Sequence, residues 1–321
     1  MAHIRIPRGW EISEREAISE AMYLNRREFI KKLGLGTIAA AGMLTGADRV
    51  LALFRGSNGK TMGELYPAKR NAKYVLDRPL TAESAAAHYN NFYEFTTDKP
   101  RVAELVANFK THPWTVEVTG MVAKPKVYDV DELIRQFPLE ERLYRHRCVE
   151  AWAMAVPWTG LPMKAFVDFV QPTSKAKFIR FVSFNKPDEA PGMRTQPWYP
   201  WPYYEGLSLA EATNELTMLV TGIYGHALPK QMGAPIRVVV PWKYGYKSIK
   251  SIVKIEFTDK QPPTFWNDLA PNEYGFVSNV DPKVPHPRWS QAHERMIIDG
   301  ERRPTLPYNG YGEFVAQLYA K

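Results

Sequence analysis

Strand-length apolar segments recur along this chain without the rhythm of strand and long helix that a parallel sheet requires. Residues 114–120 alternate apolar and polar side chains, 178–184 and 216–220 are short apolar runs, and Ile249, Val253, Ile255 and Phe257 share one parity. Runs of about four to eight residues with these patterns read as strands. Residues 236–242 read as a further buried strand with Arg237 inside it, 141–150 as extended chain, and 157–160 (Pro-Trp-Thr-Gly) as a turn. Helical patterns are few. Pro162 opens one with Met163, Phe166, Val167 and Val170 on a single face. Asp129 or Asp131 caps another through Leu133, Ile134 and Phe137, which Pro138 stops. Residues 81–84 offer a capping signal ahead of Ala85, Ala86 and Ala87. The fold class is therefore α+β with mixed, irregular sheets. No dinucleotide-binding rhythm, Gly-rich phosphate loop, paired CxxC, HExxH or internal repeat is present.

With 321 residues, 45% of them apolar, the chain can bury a substantial core. Its 26 prolines imply many fixed turns, and a long proline- and aromatic-rich excursion spans residues 187–205. Excursions of that length in a compact domain are usually functional or mobile; this one either rims a substrate cleft or packs as an irregular cover. The net charge is +8, with basic residues scattered rather than clustered and no nucleic-acid motif, so no nucleic-acid partner is expected.

The first fifty or so residues carry an address rather than fold. Arg26 and Arg27 precede a weakly apolar run, residues 33–47, that contains four glycines and four alanines. Paired arginines before such a run are the pattern of a twin-arginine export signal, and the run is shorter than the ~20 residues that span a bilayer. Residues 1–52 are read as this cleaved signal, with the translocon as a transient partner, and 53–321 as the mature domain. The expected location is the periplasm, with a soluble mature protein. Eight basic and six acidic residues lie in 1–52, which leaves six of the eight net positive charges on the remainder.

Cys148 is the only cysteine, so no intramolecular disulfide forms. It stands in the run Arg145-His146-Arg147-Cys148-Val149-Glu150, and cationic neighbours favour a thiolate. A thiolate is a nucleophile or a soft metal ligand, whereas a buried thiol is a small hydrophobe. Residues 88–95 mix amides and aromatics in the manner of a binding loop. Arg237, buried in a strand, needs either an acidic side chain or an anionic ligand. Residues 90–94, Cys148, Arg237 and 247–250 thus read as parts of one site for a phosphate-bearing cofactor.

Residues 147–152 (Arg-Cys-Val-Glu-Ala-Trp), 90–95 (Asn-Asn-Phe-Tyr-Glu-Phe) and 240–245 (Val-Pro-Trp-Lys-Tyr-Gly) resemble the catalytic subunits of periplasmic protein-methionine-sulfoxide reductases, within the sulfite-oxidase fold family. Residues 285–291 and 309–311 add to the likeness. The resemblance implies a molybdopterin-binding fold and one molybdenum bound by a pyranopterin dithiolene and the Cys148 thiolate. It implies cofactor contacts from Asn90, Tyr93, Glu94, Ser183, Met232, Arg237, Ser248, Ile249 and Lys250. Met232 departs from the polar residue expected there, which points to a backbone contact. Glu150 and Asn91 match residues near the metal. The implied reaction removes oxygen from methionine sulfoxide in oxidised periplasmic proteins, with electrons from a membrane haem-b partner. The alternatives are a sulfite-oxidase-like or other S- or N-oxide molybdenum enzyme, a metal-free thiol enzyme, and an exported binding protein.

Overall fold

The computed structural model describes residues 62–320. The export-signal reading falls on residues outside them. Thirteen short strands are present among the described residues: β1 (Lys69–Arg70), β2 (Thr115–Gly120), β3 (Lys126–Asp129), β4 (Glu140–Arg147), β5 (Trp152–Pro162), β6 (Phe178–Ser183), β7 (Tyr204–Ser208), β8 (Met218–Ile223), β9 (His226–Ala227), β10 (Arg237–Val239), β11 (Ile252–Thr258), β12 (His293–Met296) and β13 (Arg302–Pro304). They form two mixed sheets. The smaller runs β3-β2-β11-β6-β7, with β11 parallel to β2 and antiparallel to β6. The larger is built on β4 and β5. The fold class is α+β with mixed sheets, as the sequence patterns predict.

β5 is the spine of the larger sheet. One edge pairs antiparallel with β4 over eight residues, while the other is shared, with Trp152 and Ala153 on β12 and residues 158–162 on β8. Ten of its eleven residues are buried. The expected turn at 157–160 therefore does not occur. Pro157 lies opposite Leu143 inside the ladder with β4, and the register of the ladder with β8 shifts at Gly160. A Cβ on Gly160 would come within 2.1 Å of the Leu219 carbonyl, so glycine here permits close approach of β8, not a reversal. The strand expected over 236–242 shortens to β10, because the chain turns at Pro241.

The helices are short. Met163–Val170 buries Met163, Phe166, Val167 and Val170, the face its spacing predicts. Asp129 caps Val130–Ile134 by accepting from the Glu132 amide at 3.0 Å. The helix at Glu83–Ala87 has no side-chain cap. Thr81 Oγ1 instead accepts from the Ala155 amide at 3.0 Å and ties the segment before that helix to β5. Among the described residues, no helix is long and apolar enough to cross a membrane.

Candidate active site

β4 and β5 are joined by a tight hairpin made of Cys148, Val149, Glu150 and Ala151. The Cys148 amide donates to the Trp152 carbonyl at 2.9 Å, and the Ala151 amide to the Cys148 carbonyl at 3.0 Å. Ala151 closes the turn at φ +67°, a left-handed conformation that costs a non-glycine residue energy and persists only where its surroundings fix it. Residues from far along the chain do so. Trp289 Nε1 and Gln291 Nε2 both donate to the Val149 carbonyl at 2.7 Å. His286 stacks on Trp289 with centroids 3.8 Å apart.

The alternation of β4 sorts the cationic flank. Residues on one parity face one side of a strand. Arg145 pairs with Asp77 at 3.0 Å and donates to the Asn309 carbonyl at 2.8 Å. Arg147 is fully buried and donates to Gln291 Oε1 at 2.8 Å, with Glu294 3.6 Å away. His146 has the parity of Cys148 and lines the same cleft. Arg145 therefore satisfies acceptors away from the sulfur, while Arg147 also donates to the Cys148 carbonyl and its charge favours the thiolate.

Cys148 Sγ instead receives Asn91 Nδ2 at 3.3 Å and the Glu150 amide at 3.5 Å, with Glu150 Oε2 at 3.8 Å. Burial pushes its thiol up to about 12, and the Glu150 charge adds to the rise. The thiolate stabilisation expected from the sequence neighbours is present from Arg147 but is outweighed by burial and the Glu150 charge, so a free thiol at this position stays protonated at neutral pH. Glu150 Oε2 is held by Lys99 Nζ at 2.9 Å, Asn91 Nδ2 at 3.2 Å and Trp152 Nε1 at 3.3 Å. Burial raises the Glu150 carboxyl, but these donors outweigh it and hold the group below its ordinary value.

The hairpin forms one wall of a cleft enclosing about 900 Å³ out to its solvent mouth. Of the twelve site residues read from the sequence, eleven line it: Asn90, Asn91, Tyr93, Glu94, Cys148, Glu150, Met232, Arg237, Ser248, Ile249 and Lys250. Ser183 does not. Its hydroxyl, buried behind the wall, donates to the Lys250 carbonyl at 2.9 Å. Lys250 Nζ crosses to the Asn91 carbonyl at 2.5 Å and joins two walls. Gly192 lets a third segment dock beneath Tyr93 and Glu94. A Cβ there would lie 2.3 Å from the Tyr93 carbonyl.

One cation in the cleft, Arg237, lacks the carboxylate partner a buried charge requires, while Lys250 interacts with Glu94. Arg237, 3% exposed, donates to the carbonyls of Met232 at 2.8 Å, Ser248 at 3.0 Å and Val238 at 3.4 Å. No carboxylate pairs with it among the described residues, and burial alone lowers its pKa to about 9. Burial also lowers Lys250, with Arg237 adding to the effect and Glu94 opposing it. Burial raises the Glu94 carboxyl against the pull of Lys250. His146 is brought down to about 3 by burial and by the charges of Arg237 and Lys250, so it is neutral here.

Sequence reasoning missed Lys99, Trp152, Trp266 and Tyr274. Lys99 reaches Glu150 from a separate turn, and no local signal marks it. Trp266 and Tyr274 lie in a loop-rich region without periodicity. Only the Trp152 position, four residues beyond Cys148 across a hairpin, was open to inference.

Residues 103–266 match the oxidoreductase molybdopterin binding domain. The chain is 49% identical over 315 residues to the protein-methionine-sulfoxide reductase catalytic subunit MsrP of Burkholderia mallei (strain ATCC 23344), covering 97% of this chain and 94% of that one. The chain belongs to this reductase family. It is a molybdopterin-binding oxidoreductase. Among solved structures it is similar to the sulfane dehydrogenase SoxCD from Paracoccus pantotrophus, with 13% identity, a TM-score of 0.44, and coverage of 84% of this chain and 61% of that one.

The residues of the cleft fit a molybdopterin. The Cys148 sulfur stands in one wall where it could serve as a soft ligand, and Arg237, a guanidinium without a carboxylate, stands in the cleft where an anionic group could meet it. Asn91 Oδ1 is buried with no hydrogen-bond partner. Among the described residues, no group of three His, Cys, Asp or Glu side chains is placed to hold a metal.

Proposed function

We propose that this enzyme reduces methionine sulfoxide in proteins of the periplasm, with electrons from a membrane haem-b partner fed by quinol. Residues 1–52 would direct export by the twin-arginine route, and 53–321 would form the mature molybdopterin-binding domain. The observation that carries the reading is the pairing, in one cleft, of a sulfur ligand at Cys148 with an uncompensated Arg237. When bound, the cofactor supplies two-electron removal of oxygen from a sulfoxide to leave the thioether.

The protein's part is placement. Cys148 would ligate the metal, its sulfur oriented by the Asn91 amide and the Glu150 backbone. Arg237 and Lys250 would meet the phosphate. Asn90, Tyr93, Glu94, Met232, Ser248 and Ile249 would enclose the pterin, while Ser183 would act through the Lys250 carbonyl and not by direct contact. Glu150, held on one oxygen by three donors, would keep a fixed acceptor beside the sulfur and hold or release a proton there. That carboxylate disfavours an anionic substrate such as sulfite.

The test is protein matured with its signal intact. Elemental analysis should find molybdenum in near-stoichiometric amount in the parent and lose it in Cys148→Ser. A reduced dye should drive turnover of methionine sulfoxide, with sulfite a poor substrate. Full activity without molybdenum, or sulfite oxidation at a comparable kcat/KM, would overturn the reading.

A further inference from the structure

An aromatic ridge runs from the surface into the cleft, and the cofactor reading does not use it. Phe265, fully buried at the start of the helix Phe265–Leu269, packs against Tyr199, Trp201 and Tyr203 with centroids 5.7, 5.2 and 4.7 Å away. This anchor presents the next residue, Trp266, to the cleft. Inside, Trp266 contacts Tyr93 at 5.2 Å and Tyr274 at 5.3 Å. Outward, Tyr199 is 6.0 Å from Trp266, and Trp198 is 6.0 Å from Tyr199. Trp198 is 67% exposed.

The ridge is fastened to the site wall. The Met193 amide donates to the Glu94 carbonyl at 3.1 Å, Gln196 Nε2 to the Tyr93 carbonyl at 3.1 Å, and Trp201 Nε1 to the Gln196 carbonyl at 3.0 Å. A single exposed tryptophan is ordinary on a protein surface. Trp198 differs because it ends a continuous series of rings that begins in the cleft.

We propose that Trp198, Tyr199 and Trp266 bind the polypeptide that carries the methionine sulfoxide. Trp266 takes the sulfoxide side chain against its ring, and Trp198 takes the chain that flanks it. The inference rests on the functional reading above. The carbons beside a sulfoxide sulfur carry partial positive charge, which an aromatic face attracts as it attracts a cation. Reduced sulfur also packs well on rings, so the same surface suits the thioether product. Tryptophan and tyrosine give broad contact at little cost in side-chain entropy and without reading sequence. An enzyme that meets its target residue in many proteins needs such a surface.

The test compares loaded parent enzyme with Trp198→Ala and Trp266→Ala, using a reduced dye as donor. One substrate is an unfolded polypeptide with oxidised methionines, and the other is N-acetyl methionine sulfoxide. Trp198→Ala should raise KM for the polypeptide about threefold to tenfold, from the size of ring contacts of this kind. Its KM and kcat for the small sulfoxide and its molybdenum content should stay at parent values. Trp266→Ala should raise KM for both substrates. Parent turnover with an unchanged polypeptide KM in Trp198→Ala, or an equal rise for both substrates, overturns this proposal alone. A molybdenum-loaded parent that turns over neither sulfoxide overturns the functional reading and this proposal with it.

Discussion

Replacing Arg237 with Met separates the two reasons for which a guanidinium can be buried. If Arg237 braces the loops around it, the protein without cofactor should suffer. If it awaits an anion, the loss should fall on cofactor retention. Burial brings the Arg237 pKa to about 9. At ~1.4 kcal/mol per pH unit, the charge carries a penalty on the order of 5 kcal/mol. The bonds to the Met232 and Ser248 carbonyls, 2.8 and 3.0 Å long, return about 1.5–3 kcal/mol each because the donor is charged. Penalty and return nearly cancel. Met removes both and keeps most of the packing against Trp158, whose ring lies 4.8 Å from the guanidinium. The cofactor-free protein should therefore change in stability by no more than about 2 kcal/mol.

With a phosphate-bearing cofactor in place, the same substitution removes a buried charge-assisted pair. Such truncations cost about 2–5 kcal/mol, so retention should weaken roughly 30-fold or more. The assay is molybdenum per polypeptide by mass spectrometry, beside melts of protein made with and without the cofactor pathway. Loading should drop while the cofactor-free melt holds. Full molybdenum content in Arg237→Met, or a cofactor-free protein destabilised by more than about 4 kcal/mol with loading intact, would refute the assignment.

Gly192→Ala should push residues 191–195 off the wall, since its Cβ would lie 2.3 Å from the Tyr93 carbonyl. A loss of about 1–3 kcal/mol in denaturant melts is expected, with lower molybdenum content. Asp77 tests pH dependence away from the cleft: burial raises its carboxyl, but hydrogen bonds from Arg78 and Arg145 prevail and hold it well below 3.8. The stabilisation it contributes is present above about pH 4 and lost as pH falls below that value. Because its side chain is 46% exposed, the effect should not exceed ~1 kcal/mol. Asp77→Asn should flatten the acid limb of a melt series from pH 6 to 3 by that amount.

What the sequence made legible was the α+β class and most of the site, and the misses share one cause. The turn expected at 157–160 followed local proline and glycine signals, but pairing on both edges of β5 overrode them. Pro157 needs no ladder donor where it stands, and Gly160 accommodates a carbonyl of β8. The supposed effect of Arg145 and Arg147 on Cys148 likewise counted distance along the chain, whereas strand parity turns Arg145 to Asp77 and burial outweighs the charge of Arg147. Parity was available from the sequence once 141–150 was read as extended. Lys99 was not available, because its approach to Glu150 depends on tertiary closure between separate loops. Ser183 was placed at the right wall but one layer too far forward, since a strand pattern gives the face of a side chain and not what stands between it and a cleft.

The surroundings of Cys148 bear on two readings that its sequence neighbourhood leaves open. Catalysis by a metal-free thiol needs a thiolate, and such cysteines have pKa values lowered by nearby cations or helix termini. Here burial and the Glu150 carboxylate raise the thiol to about 12, while Lys99, the cation that opposes the rise most, is engaged by that carboxylate at 2.9 Å. Arg145 is spent on Asp77, and Arg147, which pairs with Glu294 and donates to the Cys148 carbonyl, opposes the rise without reversing it. A nucleophilic cysteine would be poorly served by the arrangement. A metal ligand would not be, because a bound ion's own charge would displace the thiol proton and invert the local preference. The site then asks of the protein only a sulfur held rigidly, and the hairpin provides it, with its strained Ala151 and with Val149 fixed by Trp289 and Gln291. The features that make Cys148 inert as a free thiol are the ones that suit it to hold molybdenum.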